Sequence, residues 1–279
     1  MHHRESGKGA SPVNWRLIDT GPLPGPENMA VDEALLTCFN PDSSVPLLRL
    51  YGWQPPALSL GRFQDAAAVL DLYRCRADQL QVVRRITGGG AIYHAEELTY
   101  AIVCSPHHLP HAATVKDSFR ILTAFLLRFY RGLGLNAAYA VDLTPDSSRL
   151  GERTPFCFAG KESFDIMLDG RKIGGNAQRR LKNVIFQHGS IPLRNMVNEG
   201  VTYLKESHAD LNDAVTALAD NGVAVREDEL KESLSKAFST AMTTELAPSV
   251  LTEEERETAD NLICSRYGVD AWNLFGEAL

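Results

Sequence analysis

Three consecutive glycines at positions 88–90 stand between two strand-like runs, and they constrain the fold of this chain more than any other feature. The runs at 81–86 and 98–104 carry the apolar and β-branched residues typical of strands. Glycine permits a sharp turn and the close approach of a ligand, because it has no side chain to obstruct either. Arg84 and Arg85 precede the glycines, so backbone N–H groups and positive charge could converge there on an anion or a polarised carbonyl. A plain glycine turn is the alternative interpretation.

The remaining segments alternate between helical and extended patterns, which predicts a mixed α+β fold. Apolar residues recur at helical spacing in three segments, and short apolar runs bounded by proline or glycine predict the strands. The longest predicted helix carries its apolar residues on one face and has glycines near its end. The predicted helices cover residues 28–39, 66–80 and 114–133, and the predicted strands cover 47–51, 57–60, 81–86, 98–104 and 184–193.

A hairpin is predicted around residues 169–170, an Asp-Gly dipeptide suited to a type I′ turn. Its two strands would cover residues 163–168 and 172–177. Lys172 opens the second strand and is followed by two glycines, whose missing side chains would allow a ligand close to the backbone. The Lys172 ammonium could then point into a pocket and polarise a carbonyl or a phosphate. A solvated hairpin lysine is the alternative.

The pattern changes near residue 205, which divides the chain into three predicted parts. Residues 1–13 contain no apolar signal-peptide core and are expected to be a flexible leader. Residues 14–205 would form the α+β domain, and residues 206–279 a small helical region packed on it. One helix of that region should begin at Thr252, because Glu255 follows at the spacing of a capping box.

The composition is that of an ordinary soluble globular protein, and it excludes several classes of function. No apolar run is long enough to cross a bilayer, so no membrane partner is expected and the cytoplasm is the predicted location. The formal net charge of −7 argues against general nucleic-acid binding. The five cysteines lack pairs and C-x-x-C spacing, so neither a disulfide framework nor a metal site is expected.

Positive side chains nevertheless concentrate in and beside the two glycine-bearing segments. An acidic chain with a basic site usually has an acidic or anionic partner, because opposite charges steer the two together. We therefore expect such a partner at these segments. The residues are Arg84, Arg85, Arg171, Lys172, Arg179, Arg180 and Lys182.

Cys157 lies between Pro155 and Gly160, so a loop is a better prediction for it than a core strand. A cysteine in a loop can reach a substrate, and a nearby positive charge can lower its pKa and make it a thiolate nucleophile. Lys172 is the candidate neighbour. The alternative is that Cys157 packs as a small hydrophobic side chain.

His94 follows the three glycines, and His188 lies in the last predicted strand. Each could be a general base or an ordinary hydrogen-bonded histidine. Neither has a partner at a diagnostic spacing in the sequence, so the structural role is the preferred interpretation for both.

Several dispersed motifs, in this order and spacing, resemble the biotin/lipoate protein ligase superfamily. The resemblance covers roughly residues 14–195 and rests on the segments 28–35, 48–56, 59–64, 84–94, 169–178 and 187–191. It implies a catalytic domain with a mixed β-sheet flanked by helices, and a pocket for a medium-chain acyl group. The residues implied in substrate binding are Arg84, Arg85, Gly88, Gly89, Gly90, Tyr93, His94, Gly174, Gly175, Asn176, Gln178 and His188.

Two activities share this scaffold, and Cys157 favours one of them. The chain resembles the cysteine-dependent octanoyltransferase branch related to lipoate ligases, which carries its nucleophile in this loop within a Cys-Phe pair. Another octanoyltransferase branch has a Pro-Cys-Gly run further on, and residues 191–193 contain no cysteine here. The resemblance therefore implies that Cys157 and Lys172 are catalytic.

The implied reaction needs no cofactor, because a thioester already carries an activated acyl group. Cys157 would accept octanoyl from acyl carrier protein and pass it to a lysine of a lipoyl domain, such as glycine-cleavage H protein or an E2 subunit. Lys172 and backbone N–H groups would stabilise the oxyanion. Acyl carrier protein is typically acidic, so it would dock on basic side chains, namely Arg84, Arg85, Arg179, Arg180 and Lys182.

Three other functions stay open at this point. An ATP-dependent lipoate-protein ligase would need ATP and Mg²⁺ and would tolerate the loss of Cys157. An octanoyl amidotransferase would use already modified H protein as its donor. A non-enzymatic protein with this fold would bind octanoate or the carrier without forming a covalent intermediate.

Overall fold

The computed structural model describes residues 14–109, 112–143, 162–206, 211–224 and 226–277. The strands are β1 (Asn14–Leu23), β2 (Leu47–Trp53), β3 (Ala57–Leu60), β4 (Gln81–Arg84), β5 (Ile92–His94), β6 (Glu97–Cys104), β7 (Ala138–Tyr139), β8 (Ile166–Leu168), β9 (Arg171–Gly174), β10 (Asn176–Leu181), β11 (Val184–Pro192) and β12 (Glu245–Ser249). The helices are α1 (Gly25–Thr37), α2 (Ala66–Val69), α3 (Leu72–Ala77), α4 (Val115–Gly132), α5 (Ala140–Leu143), α6 (Val197–Val201), α7 (Leu211–Ala214), α8 (Glu227–Met242), α9 (Glu253–Leu262) and α10 (Asp270–Asn273).

The main sheet is mixed, and its six described strands lie in the order β10-β11-β6-β2-β1-β12. Strand β1 runs parallel to β2 and β12, whereas the neighbours from β10 to β2 are antiparallel. Two smaller sheets, β4-β3-β5 and β7-β8-β9, lie beside it. The predicted mixed sheet flanked by helices is thereby confirmed.

Helices cover both faces of the main sheet, because side chains along its central strands alternate between two cores. On β2, Leu48 and Leu50 belong to one buried cluster, and Leu47 and Tyr51 belong to the other. The first cluster includes residues of α4 and α8, and the second includes residues of α1 and α9. The sheet is consequently buried on both sides.

Helix α4 matches its predicted length closely, and its ends explain why. Thr114 caps its start through a capping box with Asp117, and Leu133 caps its end. Its apolar face buries Leu122, Phe125 and Phe129, among other side chains, against the main sheet. The N-terminal turn of α4 is left at the edge of the core, where it faces the cavity described below.

The prediction of one helix over residues 66–80 is wrong, because the structure has two shorter helices, α2 and α3, in its place. Asp65 caps α2 by accepting from Ala67 and Ala68 N–H groups, and Asp71 caps α3 by accepting from the Arg74 N–H group. Local side-chain caps therefore start two helices where periodicity alone suggested one.

The Asp-Gly hairpin joins β8 to β9, and Asp169 and Gly170 both have positive φ, +48° and +80°, as a type I′ turn requires. The predicted 172–177 strand is not continuous. It breaks at Gly175, so that β9 pairs with β8 whereas β10 pairs with β11 in the main sheet. This break allows one run of sequence to contribute to two sheets.

The region after residue 206 is helical as expected, and it also supplies the edge strand β12, which sequence reasoning missed along with β1. The proposed division at 205/206 stays a prediction. The predicted leader, 1–13, lies outside the described residues. Among the helices that the structure describes, none combines the length and the apolar character needed to cross a bilayer.

Candidate active site

A cavity of about 360 Å³ lies between the β3-β4-β5 sheet, the start of α4, and the adjoining parts of β10 and β11. Its size is that of a small-molecule pocket. Most of its surface is apolar, and sequence reasoning did not select the side chains responsible: Met29, Tyr51, Trp53, Ile92, Val115, Phe119 and Phe164. They come from separated elements, so only the fold brings them together.

The glycine turn forms one wall of the cavity through Gly88 and Gly89. Gly89 has a φ of +99°, which favours glycine, and a Cβ at Gly61 would overlap the Gly89 carbonyl oxygen. Gly61 and Gly89 therefore pack backbone against backbone. This contact holds the turn against the loop that follows β3, so the glycine turn is a wall of the cavity as well as a connection.

Arg85 supports this wall from beneath. Its Nη2 group donates to the carbonyls of Gly88 and Gly90, at 2.8 and 2.7 Å, and its Nη1 group donates to the Ser59 carbonyl at 3.1 Å. The side chain is buried although it lines the cavity. The Arg85 guanidinium consequently fixes the positions of these backbone carbonyls. Gly90 does not line the cavity.

Arg84 also lies outside the lining, and it is only 1% exposed. The prediction that Arg84 and Arg85 belong to a docking surface is wrong, because both side chains are buried. Burial lowers the pKa of Arg84 below its usual value. The guanidinium of Arg84 donates to the carbonyls of Gly61, Arg62, Gln64, Trp272 and Leu274.

Lys172 is buried behind the cavity wall, so the alternative of a solvated hairpin lysine is wrong. Its Nζ lies 2.7 Å from Asp165 Oδ2, and both side chains are at most 2% exposed. A Cβ at Gly175 would lie 3.2 Å from Lys172 Cε and 3.4 Å from Nζ. Gly175 and Asp165 both line the cavity, so two residues next to the lysine tip face it.

Asp165 is a site residue that sequence reasoning missed. Burial raises the pKa of its carboxyl, and Lys172 opposes that rise. The Glu162 N–H group donates to Asp165 Oδ2 at 2.7 Å. Asp165 precedes β8 and Lys172 lies in β9, so only the pairing of these strands brings acid and base together. No spacing rule would have selected it.

Cys157 lies outside the described residues, which resume at residue 162. The first four described residues after that point, 162–165, all line the cavity. The position of Cys157 beside Lys172 therefore stays a prediction. Its sequence distance from Glu162, the first of these lining residues, is only five positions.

The other cysteines are free thiols, and two of them are poorly suited to nucleophilic chemistry. Burial raises the pKa of Cys75 to about 11 and also raises the pKa of Cys104. Cys38 is half-buried and Cys264 is exposed. None of these four lines the cavity.

His94 lines the cavity within a chain of buried polar groups. Its Nε2 lies 2.7 Å from Ser59 Oγ, its Nδ1 lies 2.8 Å from Glu97 Oε1, and its ring stacks on Trp53. Burial raises the pKa of the Glu97 carboxyl, but electrostatic attraction to His94 and hydrogen bonds from His94, Thr99 and Ser190 outweigh it, so the net pKa is lowered.

His188 lines the same cavity and belongs to a second buried network. Its Nε2 lies 2.7 Å from Thr87 Oγ1, and its Nδ1 lies 3.7 Å from Asp32 Oδ2. Burial lowers the pKa of His188, which favours the neutral ring. Asp32 also accepts from Arg49 at 2.6 Å, an ion pair that sequence reasoning missed. The preferred structural role fits both histidines.

Tyr93 does not line the cavity, because side chains alternate along β5 and only its neighbours Ile92 and His94 face inward. The Tyr93 ring stacks on Tyr203 and borders a separate, smaller cavity. Gly174 packs against the Ser190 carbonyl and is not a lining residue either.

The structure thus gathers most of the predicted binding residues around one cavity. Those that line it are Arg85, Gly88, Gly89, His94, Gly175, Asn176, Gln178 and His188. Those that do not are Arg84, Gly90, Tyr93, Gly174 and the catalytic candidate Lys172. Whether the lining residues contact substrate stays a prediction.

Comparison with known proteins agrees with this geometry. The family model of the lipoyl protein ligase A/B catalytic domain matches residues 24–239. Octanoyltransferase LipM of Geobacillus kaustophilus is 36% identical over 273 residues, which cover 93% of this chain and 98% of the relative. Octanoyltransferase LipM of Symbiobacterium thermophilum is 38% identical, with 94% and 98% covered.

Solved structures show the same fold. A crystal structure of lipoate-protein ligase A bound with ATP superposes with a TM-score of 0.79 at 26% identity. The match covers 94% of this chain and 98% of that one. The likeness therefore extends over both the α+β region and the C-terminal helices.

Proposed function

The chain belongs to the lipoyl protein ligase A/B catalytic domain family and is an octanoyltransferase of protein lipoylation, and we propose that it acts through a thioester on Cys157. The donor is octanoyl-acyl carrier protein, and the acceptor is a lysine of a lipoyl domain, such as H protein or an E2 subunit. The reaction takes place in the cytoplasm. The observation that carries the proposal is an apolar cavity with the buried Lys172–Asp165 pair behind Gly175.

In the first step the Cys157 thiolate attacks the thioester carbonyl of the donor. The carbon–sulfur bond to the carrier breaks, the carrier leaves as a thiolate that takes up the proton released when Cys157 ionised, and octanoyl remains on Cys157. A positive charge near the carbonyl oxygen stabilises the negative charge that develops there. Lys172 supplies that charge. The position of its Nζ next to Gly175, which lines the cavity, supports this role.

In the second step the ε-amine of the acceptor lysine attacks the acyl-enzyme. An amide bond forms, the carbon–sulfur bond to Cys157 breaks, and the proton lost by the amine restores the Cys157 thiol. Because a thioester is more reactive than an amide, the transfer is downhill without ATP. The apolar cavity holds the octanoyl chain through both steps and keeps the carbonyl at one place.

Three of the five basic side chains expected to dock an acidic carrier are exposed or half-buried, on β10 and in the turn that follows it. Arg180 is exposed and donates to Ser118 Oγ at 2.5 Å, and Lys182 is exposed in the turn between β10 and β11. Arg179 is half-buried and donates to the Ile86 carbonyl. Of the expected set, these three therefore stay available to a carrier, and the buried Arg84 and Arg85 do not.

Intact-protein mass spectrometry tests the proposal. The protein and a Cys157→Ala variant are incubated with octanoyl-acyl carrier protein without ATP and then treated with hydroxylamine. We expect an octanoyl adduct that hydroxylamine removes, and we expect Cys157→Ala to lack it. Cys264→Ala is the matched control, because Cys264 is an exposed free thiol that should leave the adduct unchanged.

An ATP-dependent ligase is the second candidate, because the fold matches a lipoate-protein ligase A that binds ATP. The same assay decides between them. Absence of any adduct, with transfer from free octanoate only when ATP and Mg²⁺ are added, would assign the ligase activity instead. An adduct formed from octanoylated H protein but not from the carrier would change the donor and keep the role of Cys157.

A further inference from the structure

Two exposed aromatic side chains lie on segments that are far apart in sequence. Phe63 is 86% exposed and Phe275 is 70% exposed. The buried guanidinium of Arg84 binds the carbonyls on both sides of Phe63, those of Arg62 and Gln64, and the carbonyl of Leu274, which precedes Phe275. One buried arginine therefore joins both segments and presents the two rings to solvent.

Two arginines accompany these rings. The Arg62 guanidinium lies 5.8 Å from the Phe63 ring centre and 5.3 Å from that of Trp272, and the Arg266 guanidinium lies 4.7 Å from the Trp272 ring. Such distances are those of cation–π contacts. We call the group formed by the exposed rings of Phe63 and Phe275 and the half-buried Arg62 and Arg266 the Phe63 surface.

Two acidic side chains near the Phe63 surface have partners of their own, and Glu277 is exposed two residues after Phe275. Glu33 pairs with Arg266, and Asp65 caps α2 by accepting from N–H groups of that helix. Within the described ranges, the Arg62 side chain makes ring contacts but no hydrogen bond or ion pair. Burial and the positive charges of Arg62 and Arg266 lower the pKa of Arg179, so three arginines interact at this place on a chain whose net charge is −7.

The Phe63 surface adjoins the glycine wall of the acyl cavity. The Arg62 N–H group donates to the Thr87 carbonyl at 2.8 Å, and Gly61 packs directly on Gly89. Arg179 donates to the carbonyl of Ile86, the residue before Thr87. A protein seated on Arg62 and Phe63 would lie next to the turn that lines the cavity.

Exposed aromatic rings beside arginine are the residues that most often dominate binding energy at protein interfaces. We propose that the Phe63 surface binds the acidic face of the acyl carrier protein that delivers octanoyl to the cavity. The rings supply apolar contact, and Arg62 pairs with a carboxylate of the carrier. This inference rests on the proposed function, since it names the docking surface of the same donor.

The test compares a double variant, Arg62→Glu with Phe63→Ser, against a matched control, Arg74→Glu with Tyr73→Ser. Tyr73 is 84% exposed and Arg74 follows it on α3, so the control makes the same chemical change elsewhere. The rate of Cys157 acylation is measured by mass spectrometry with octanoyl-carrier and with octanoyl-pantetheine, which has no protein and no phosphate.

With the carrier as donor, we expect kcat/KM of the Phe63-surface variant to fall about tenfold or more, and the loss to shrink at high salt. With octanoyl-pantetheine the rate should stay within about twofold of the parent, because no docking is needed. The control variant should match the parent with both donors. Equal loss with both donors, or no loss with either, would overturn the proposal.

Further measurements distinguish the carrier from other molecules that could bind the Phe63 surface. An equal loss with octanoyl-phosphopantetheine would assign the surface to the phosphate instead of the protein. A loss confined to transfer from the acyl-enzyme to a lipoyl domain would assign it to the acceptor. A dimer of the parent that the variant dissociates, seen by sedimentation, would assign it to a second copy. Each of these results would contradict carrier docking.

A direct binding measurement tests carrier docking independently of the proposed chemistry. Fluorescence anisotropy of labelled octanoyl-carrier is measured with the Cys157→Ala background, which cannot be acylated. Weaker binding of the Phe63-surface variant than of the control supports docking even if no adduct forms in any protein. Equal binding by the two variants would refute it, whatever the mass spectra show.

Discussion

Lys172 and Asp165 place opposite charges 2.7 Å apart in an interior where both side chains are almost inaccessible. Such a pair is a weak source of net stability, because the loss of hydration offsets the attraction between the charges. Removing one partner is costly, however, since the other is left buried without a counter-charge. The pair therefore suits a role in which a positive charge must be held at one position.

We predict that Asp165→Asn lowers both stability and acyl transfer. The free energy of unfolding should fall by about 3 kcal/mol, since the buried Lys172 ammonium loses the carboxylate that lies 2.7 Å from its Nζ. The rate of Cys157 acylation should fall at least tenfold with little change in KM, because the cation is no longer held near the carbonyl oxygen. Urea denaturation and single-turnover kinetics measure the two effects.

The double variant Asp165→Asn with Lys172→Met separates structure from chemistry. It removes both charges, so it should recover most of the lost stability, but it should not recover transfer. Recovery of both, or an unchanged rate in Asp165→Asn alone, would contradict a role for the pair in the reaction.

Among the elements, the glycine turn between β4 and β5 is held by contacts to its neighbours. The loop after β3 meets it through Gly61, and Arg85 binds two of its carbonyls. A turn built on backbone contacts responds strongly to any added side chain, because atoms of the main chain cannot rotate away. The shape of the cavity wall thus depends on small residues in two separate loops.

We predict that Gly61→Ala displaces the turn and deforms the cavity wall. A Cβ at this position overlaps the Gly89 carbonyl, so stability should fall by about 2 kcal/mol and acylation of Cys157 by about tenfold. Thermal unfolding and the mass-spectrometric acylation assay measure both. Retention of parent values would show that the two loops separate easily.

Gly132→Ala is the control for that substitution. Gly132 is the last residue of α4, and a Cβ there would meet no atom within 4 Å. Alanine is the better helix former, so the free energy of unfolding of this variant should rise by up to about 1 kcal/mol. Its rate of Cys157 acylation should equal that of the parent.

At the scale of the whole molecule, the two ends of the described chain meet. Strand β1 pairs with β12, and Arg16 of β1 donates to both carboxylate oxygens of Glu255 in α9 at 2.6 and 2.8 Å. The C-terminal segment also receives Arg84 from the middle of the chain. The helical C-terminal region is consequently tied to the sheet that supports the site.

We predict that the Arg16–Glu255 pair makes the free energy of unfolding depend on pH in the acidic range. Burial raises the pKa of Glu255, but the bonds from Arg16 and Thr252 outweigh it, so the net pKa lies below the ordinary value of 4.5. The pair therefore contributes above pH 4.5, and its contribution is lost as the pH falls through the lowered pKa.

Glu255→Gln removes this dependence. Urea denaturation at neutral pH should show a loss of about 1 kcal/mol, a figure reduced for the partial exposure of Arg16. Between neutral pH and pH 3 the parent should lose more stability than Glu255→Gln by a similar amount. Glu257→Gln, an exposed site on the same helix, should follow the parent at both pH values. Parallel curves for parent and Glu255→Gln would refute the prediction.

Local patterns predicted most of the elements because they act over short distances. The α4 helix follows from its apolar face and the Thr114 cap, and the β8–β9 hairpin follows from Asp169-Gly170. The same patterns failed at residues 66–80, where the caps at Asp65 and Asp71 divided one periodic run. They also missed β12, which depends on a distant partner, β1.

The sequence by itself determined the family, the mixed sheet and the position of the glycine turn, since these depend on motifs of adjacent residues, and the catalytic role of Lys172 stays a prediction. Only the tertiary structure decided that Asp165 faces Lys172, that Tyr93 faces away from the cavity, and that the buried Arg84 binds backbone carbonyls of two segments. The physical reason is that burial and charge pairing arise between elements far apart in sequence. A basic residue looks the same in a sequence whether it will meet solvent, a carboxylate or a ring of carbonyls.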